Sequence, residues 1–378
     1  MIVPMPNILM LLSKSAIGDT RVEREARSLS EAGYQVKVFS WRREAGDENK
    51  PVDSCDFKID VIGPYCRKRN FVSFLFKLPM FWISCIRSAR GSDFSAVHSH
   101  DFDTLPAGLL ISKLHGIPLV YDAHESYADM ISSDVPEVIS KLTVIVQRWL
   151  VRKAELVVVA NDRITPLIDA REALVVLNCP SVSELSQNEG NDEDERRNGA
   201  QSIGYFGTLE PGRFVFESID AVRQKKGKWK LMIAGDGTLS GEVREISKRS
   251  VDVEYLGRLD HDEVMKRISR CDLIHVILDP SNRNYIISTP LRMFEAMGAG
   301  RPSVVTAGTY AAEIVQRERC GLVCEFNIDS ILELLDQCEG KQDELRNLGA
   351  RGKSAFEREY NWETQVAKMI DAYRKLLS

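Results

Sequence analysis

Two textures alternate along this chain, and their alternation limits its fold more than any other feature. Short runs that are apolar almost throughout are separated by longer stretches with apolar residues three or four positions apart. In the first half the short runs are NILMLL (7–12), YQVKVFS (34–40), AVHSH (96–100), PLVYDAH (118–124) and LVVVAN (156–161). A strand buried on both faces reads this way, whereas a half-solvated strand alternates. Helical stretches lie between them: Thr20 to Ala32, closed by Gly33; Leu105 to Leu114; and a long one near Lys141 to Lys153. The pattern restarts with SIGYFGTL, WKLMIAGDG, VDVEYLGRL, LIHVIL, PSVVT and GLVCEF, and closes with one amphipathic helix read over Lys341 to Leu377. Repeated βα units of this kind predict α/β structure, with parallel sheets covered by helices on both faces.

At 378 residues the chain exceeds one ordinary core and suits two domains. Between the two series, SELSQNEGNDEDERRNGAQ is nearly devoid of apolar residues and reads as a polar linker. The expected division is a first domain at 1–180, a linker at 181–200, a second domain at 201–358 and a terminal helix at 359–378. Ligands of doubly wound sheets bind outside the carboxyl ends of the strands, so the functional residues should lie in a cleft between the domains.

A hydrophobic content of 44%, with 28% charged residues, excludes a disordered or fibrous chain. The net charge of -5 gives no reason to expect nucleic acid as a partner. The eight cysteines form no Cys-x-x-Cys pair, and Cys320-x-x-x-Cys324 lacks a second half at metal-ligand spacing. They read as reduced thiols of a cytoplasmic protein. MIVPMPNILMLLSKSAIG has no basic n-region or cleavage site and reads as a first strand. Residues 61–91 depart from this balance, holding several Lys and Arg but no Asp or Glu around FVSFLFKLPMFWISCI. Lys77 and Pro79 interrupt the run, so it is too short to span a bilayer. Two readings of residues 66–90 remain open here: an interfacial helix or hairpin on an anionic membrane at the inner face, or a core helix with solvated basic ends.

Several strand ends carry chemistry. SKSAIGDTRVERE follows the first strand, with Thr20 and Glu23 read as a capping box and Gly18 permitting close backbone approach. His98, His100, Asp101 and Asp103 close one strand, and His124 and Glu125 another. They suit the polar wall of a cleft; no standard zinc spacing is present, and no metal is expected. In GYFGTLEPGRF, Gly207, Gly212 and Arg213 occupy a strand-to-helix turn where a cation suits a diphosphate. AGDG brings Gly235, but Ser240 stands at the third glycine of a dinucleotide fingerprint, and no GxxxxGK[ST] run exists. In STPLRMFEAMGAG, Thr289 is read as an N-cap and Pro290 as the first helical residue. The local reading of Glu295 is an (i, i+3) pair with Arg292. The alternative is that the helix start at Ser288, Thr289, Pro290 and Leu291 binds a phosphate while Glu295 accepts from a ribose diol.

Taken in order, DTRVEREARSLSEAGYQVKVFS, VHSHDFDTLPAG, VYDAHE, IGYFGTL, MIAGDG, VEYLGRL, TPLRMFEAMGAGRPSVVT and CGLVCEF resemble the nucleotide-sugar glycosyltransferases of family 4. The resemblance implies the GT-B architecture, two Rossmann-like doubly wound domains facing across a cleft, with the last helix returning to the first domain. It implies a retaining transferase that uses a UDP-, GDP- or ADP-sugar, binds no cofactor and requires no metal. By position, Glu295 matches the ribose-binding second glutamate of the family's Glu-x7-Glu motif, and Arg213 the residue that holds the diphosphate. Gly18 matches the first-domain loop near donor phosphate and acceptor, His124 the histidine beside the reacting sugar, and Arg258-Leu259 the turn against the nucleobase. Two positions depart from the pattern. Ile287 stands where the motif's first glutamate would fall, and Thr208 replaces a second basic residue. Sugar contacts are then expected from Asn284, Tyr285 or Ser288.

The expected chemistry is stabilisation of a leaving nucleoside diphosphate by Arg213 and the helix start near Thr289. The departing phosphate is the base in such schemes, so His124 and Asp101 position. A nucleotide-sugar 2-epimerase shares the architecture but needs acid and base carboxylates that the second-domain loops do not offer. A non-catalytic nucleotide-sugar-binding subunit is the remaining alternative, prompted by Ile287. The acceptor is expected to be a glycan or a lipid-linked intermediate.

Overall fold

The computed structural model describes residues 5–43, 56–67, 71–131, 135, 137–186 and 200–378. The chain forms two compact units, one built from Met1–Leu177 together with Val366–Ser378 and the other from Asn178–Gln365.

In the first unit, β1 (Asn7–Leu12), β2 (Gln35–Trp41), β3 (Lys58–Ile62), β4 (Ala96–His100), β5 (Leu119–Ala123), β6 (Leu156–Val159) and β7 (Leu174–Val175) form one parallel sheet. Its order is β3-β2-β1-β4-β5-β6-β7. Ile8 of β1 aligns with Val36 on one side and Ala96 on the other. Ile8 to Leu12 are all buried, as expected of a central strand covered on both faces. The chain winds outward from β1 to β3, then crosses to β4 and winds the other way. Right-handed crossovers therefore put the helix Thr20–Glu31 on one face, and the helices Phe71–Ala89, Leu105–His115 and Glu137–Val151 on the other. Contacts between consecutive members of that trio agree with this placement.

In the second unit, β8 (Gln201–Phe206), β9 (Trp229–Ala234), β10 (Val253–Tyr255), β11 (Leu273–Val276), β12 (Ser303–Thr306) and β13 (Gly321–Cys324) form a parallel sheet ordered β10-β9-β8-β11-β12-β13. Its core packs around the buried Trp229, Leu231 and Ile233 of β9. Both sheets reverse winding direction between their first and fourth strands, so each has a switch point: β1/β4 and β8/β11.

Three local expectations are corrected. The first helix is capped by Asp19 rather than Thr20: Asp19 accepts from Val22 N, while Glu23 accepts from Gly18 N at 2.7 Å. The helix Leu291–Gly298 has Pro290, not Thr289, at its cap and no side chain bonded there. The final helix is two, Gln342–Arg358 and Trp362–Leu376. Asn361 causes the break by serving both ends. Its Nδ2 donates to Phe356 O (2.7 Å) and Glu357 O (3.1 Å), and its Oδ1 accepts from Thr364 N.

Most of the expected linker, residues 187–199, lies outside the described residues, as do Lys68 and Arg69 of the basic flank; residues 182–186 are helical. The segment Phe71–Ala89 is a helix with Pro79 inside it. One face buries Leu78, Phe81 and Cys85, and the other exposes Leu75, Phe76, Met80 and Ile83. Among the described residues no helix is long and apolar enough to cross a membrane. The seven described cysteines are buried and free, Cys320 and Cys324 included.

Candidate functional site

In the first unit, the switch point is the loop after β1 together with the ends of β4 and β5. The Ser13 hydroxyl donates to the buried Asp103 carboxylate, which ties the β1 end to the β4 end. Burial, with the charge of Asp101 adding to it, pushes the Asp103 carboxyl up to about 7. Asp101 follows β4 with a left-handed backbone (φ 60°), a strained conformation for a residue with a Cβ. The turn is held by Asp101 N donating to Asp122 O (2.9 Å) and by Asp101 Oδ1 accepting from His124 N (3.2 Å).

Beneath this turn lies a buried ionic network. Arg21, from the first turn of the helix Thr20–Glu31, bonds both oxygens of Asp122 (Nε 3.0 Å, Nη2 2.7 Å) and donates to Val176 O. The same guanidinium lies 3.0 Å from Glu25. His124 Nε2 sits 2.9 Å from Asp122 Oδ2, and its Nδ1 3.5 Å from Asp101 Oδ2. His100 Nδ1 approaches the same Asp122 oxygen (3.3 Å) and His124 Nε2 (3.2 Å). His98 stacks on His100, with Tyr373 hydroxyl 2.8 Å from its Nδ1.

The protonation states follow from these neighbours. Burial opposes a charge on His124, but the Asp101 and Asp122 carboxylates outweigh it and push the imidazole up to about 9. Burial drives His98 and His100 down instead, so they stay neutral. Burial would raise Asp122, yet Arg21 and His124 hold it well below the usual carboxylate range. Glu25 goes the other way, to about 8, through burial and then the charge of Asp122. His98 and His100 were expected on a cleft wall; both are wholly buried, because β4 is covered on both faces. His124 and Asp101 are the partly exposed ends of the network, at 13% and 24% of the side chain. Glu25, His98, His100 and Asp122 bring one ligand atom each within 4.8 Å of one another, a set able to hold a metal. Arg21 already supplies positive charge to both of its carboxylates.

In the second unit the candidates gather at the ends of β8, β9, β10 and β11. Gly207 and Gly235 end adjacent strands and touch: a Cβ on Gly235 would lie 1.7 Å from Gly207 O. Gly207 N donates to Ala234 O, and Gly235 N to Gly257 O, so three strand ends are bonded in sequence. Arg258 and Leu259 follow Gly257, with Arg258 exposed. Across the switch point, Asp279 N donates to Gly212 O at 2.9 Å, which fastens the β11 loop to the β8 loop. Arg213, in the β8 loop, lies 4.8 Å over the Tyr285 ring. Its Nε is buried and finds no hydrogen-bond partner among the described residues.

The helix Leu291–Gly298 begins beside this arginine's partner loop. The start at Leu291 has no side chain bonded to it, as is also the case for the helices starting at Leu105, Val215 and Ser240, so its first backbone N–H groups are open to another acceptor. Ser288 Oγ turns back to Tyr285 O (3.2 Å), and Ile287 ends the short helix Arg283–Ile287. Glu295 is 1% exposed and is engaged by Arg292, with His261 Nδ1 3.7 Å from its other oxygen. Arg292 in turn donates to Phe206 O at the end of β8 (2.9 Å). The local pair with Arg292 is therefore present, and it anchors the carboxylate at the switch point. Asn284, Tyr285 and Ser288 are half-buried in the same loop.

Arg21, Glu25 and Asp122 were not singled out from the sequence. Asp122 alone left a signal, a carboxylate inside the apolar run PLVYDAH.

Comparison with known proteins adds a second line of evidence. A glycosyl transferase 4-like domain matches residues 18–172, and a glycosyl transferases group 1 domain matches residues 200–338. A glycogen synthase of Mycobacterium tuberculosis is 23% identical over 298 residues, covering 73% of this chain and 68% of the relative. The fold is similar to that of sucrose-phosphate synthase from Thermosynechococcus elongatus (TM-score 0.77, 15% identity, 98% of this chain and 99% of that one). It is also similar to Anabaena Alr3699/HepE in complex with UDP-glucose (TM-score 0.72, 16% identity, 98% and 99% covered).

Proposed function

Since the chain belongs to the GT-B glycosyltransferases of family 4, we propose that it moves a sugar from a nucleoside-diphosphate sugar to an acceptor hydroxyl with retention of configuration. The observation that carries the donor site is Arg213: a cation with a buried, unpartnered Nε, at a switch point whose neighbouring helix start is uncapped. Backbone N–H groups at a helix start and a fixed guanidinium are the groups a diphosphate needs. They hold the leaving diphosphate, on which negative charge builds, more strongly than the intact donor, which is how they accelerate transfer. Glu295 faces the ribose in this reading, sharing its carboxylate between Arg292 and the diol. Arg258 and Leu259 lie against the base, and Gly207 and Gly235 keep the backbone low. Without a glutamate at 287, sugar contacts fall to Asn284, Tyr285 and Ser288.

In the first unit, the His124 imidazolium is a poor base near neutral pH, which supports a positioning and charge-stabilising role for His124 and Asp101. The departing phosphate then takes the acceptor proton, and no metal takes part. Gly18 gives its N–H to Glu23 in the structure, so its part is to shape the loop. The acceptor is read as a glycan or a lipid-linked intermediate, and the protein as cytoplasmic, with residues 66–90 meeting an anionic membrane surface. HepE has been solved with UDP and with UDP-glucose, so UDP-sugars are the first donors to try. The test is to incubate the protein with UDP-, GDP- and ADP-sugars, measure released nucleotide, and assign the product anomer by NMR. Nucleotide release with an inverted product would overturn retention, and no release from any donor would overturn the donor site.

A further inference from the structure

The helices Phe71–Ala89, Leu105–His115 and Glu137–Val151 lie side by side on one face of the first sheet, and what they turn outward is not a solvated surface. On the last of them Val138, Leu142, Ile145 and Trp149 recur at four, three and four residues, which is one helical stripe. Their exposures are large: 76% for Val138, 65% for Ile145 and 57% for Trp149. The stripe on Phe71–Ala89 runs through Phe76 (75% exposed), Met80 and Ile83, and Leu110 and Leu114 bridge the two from the middle helix. Exposed apolar area on this scale marks a docking surface.

Charge identifies what docks. The three helices carry Lys77, Arg87, Lys113, Lys141 and Arg148 against a single acid, Glu137, which Lys141 already pairs at 2.7 Å. Arg152 and Lys153 follow directly; Arg152 pairs with Asp169, and Lys153 lies 5.7 Å over Trp149. A second copy of the same face would meet its own positive charge. An anionic bilayer supplies the opposite charge to the basic residues and an apolar layer to the stripes. We infer that this three-helix face is a peripheral docking surface for an anionic lipid bilayer, which extends the membrane contact proposed above from the Phe71–Ala89 helix to the helix Glu137–Val151.

The orientation suits a reaction at the membrane. Crossover helices run antiparallel to the strands, so Leu75, Phe76, Val138 and Leu142 lie towards the strand ends that carry Asp101 and His124. Trp82 Nε1 donates to Asp103 O (2.6 Å), which joins the Phe71–Ala89 helix directly to that strand end. An acceptor with a lipid tail in the bilayer would present its headgroup to these residues.

The test is co-sedimentation of the full chain with phosphatidylcholine vesicles and with vesicles that also contain phosphatidylglycerol, at low and high salt. The expected result is binding to the anionic vesicles that weakens with salt, together with quenching of Trp149 by brominated lipid that Trp149→Phe abolishes. The pairs Ile145→Glu/Trp149→Ser and Phe76→Ser/Ile83→Ser should each lower partitioning about tenfold or more, with melting temperature and nucleotide release unchanged. No binding to anionic vesicles, equal binding to neutral ones at every salt, or undiminished binding by both pairs would overturn the inference. So would a dimer at working concentration that either pair dissolves. Vesicle binding and nucleotide release fail separately, so loss of one does not decide the other.

Discussion

His124 keeps its proton because Asp101 and Asp122 reach it from the ends of two strands, against the pull of burial. Its folded-state value, about 9, lies above that of a free histidine, so the folded protein binds the proton more tightly than the unfolded chain. The resulting stability is fully present below the unfolded value near 6.5 and is lost as pH rises through about 9. Melting temperature should therefore fall between neutral pH and pH ~9.5, and His124→Gln should flatten that fall; the interaction is worth on the order of 3 kcal/mol. A wild-type curve that stays flat over the same interval would contradict the network. At Glu295 two effects are expected together. Glu295→Ala leaves the partly buried Arg292 without its buried partner and costs about 1–3 kcal/mol, while also weakening UDP binding measured by calorimetry. Lost stability with unchanged affinity would remove Glu295 from the donor site. The sequence exposed the polar residues at strand ends because PLVYDAH and SAVHSH stop so abruptly. It could not expose Arg21, which reads as one more charge on an amphipathic helix and meets Asp122 only through folding, 101 residues away.

Among the elements, strand positions were legible because a doubly covered parallel strand must be apolar along its length. Helix ends were less so. Asp19 and Thr20 both cap well, and only the backbone conformation selects Asp19. The break at Asn361 was hidden because the helical period runs on from Gln342–Arg358 into Trp362–Leu376 almost in phase. Asn361→Ala removes bonds at two helix ends and should lower stability by about 1–2 kcal/mol, measured by urea denaturation. A change near zero would mean the break is set elsewhere, for instance by Trp362 N on Pro180 O. Gly235→Ala is a sharper case, since the new Cβ would meet Gly207 O at 1.7 Å. Two strand ends must part, and donor affinity should drop with stability.

Both units repeat one device, a parallel sheet with its candidate site residues at the point where the winding reverses. The first unit is assembled from both ends of the chain, with Val366–Ser378 added to Met1–Leu177. Ending the chain after Gln365 removes Tyr373 from His98, so hydrogen exchange should quicken in β4 and β5 while β8 and β9 keep their protection. Uniform loss of protection would mean that the two units unfold as one. In the proposed reaction Arg213 is the cation that holds the leaving diphosphate. Its direct test is turnover of a UDP-sugar by the wild type and by Arg213→Ala, followed as released UDP at saturating donor. The proposed role of Arg213 predicts a kcat lower by about a hundredfold in the variant; an unchanged kcat would contradict that role.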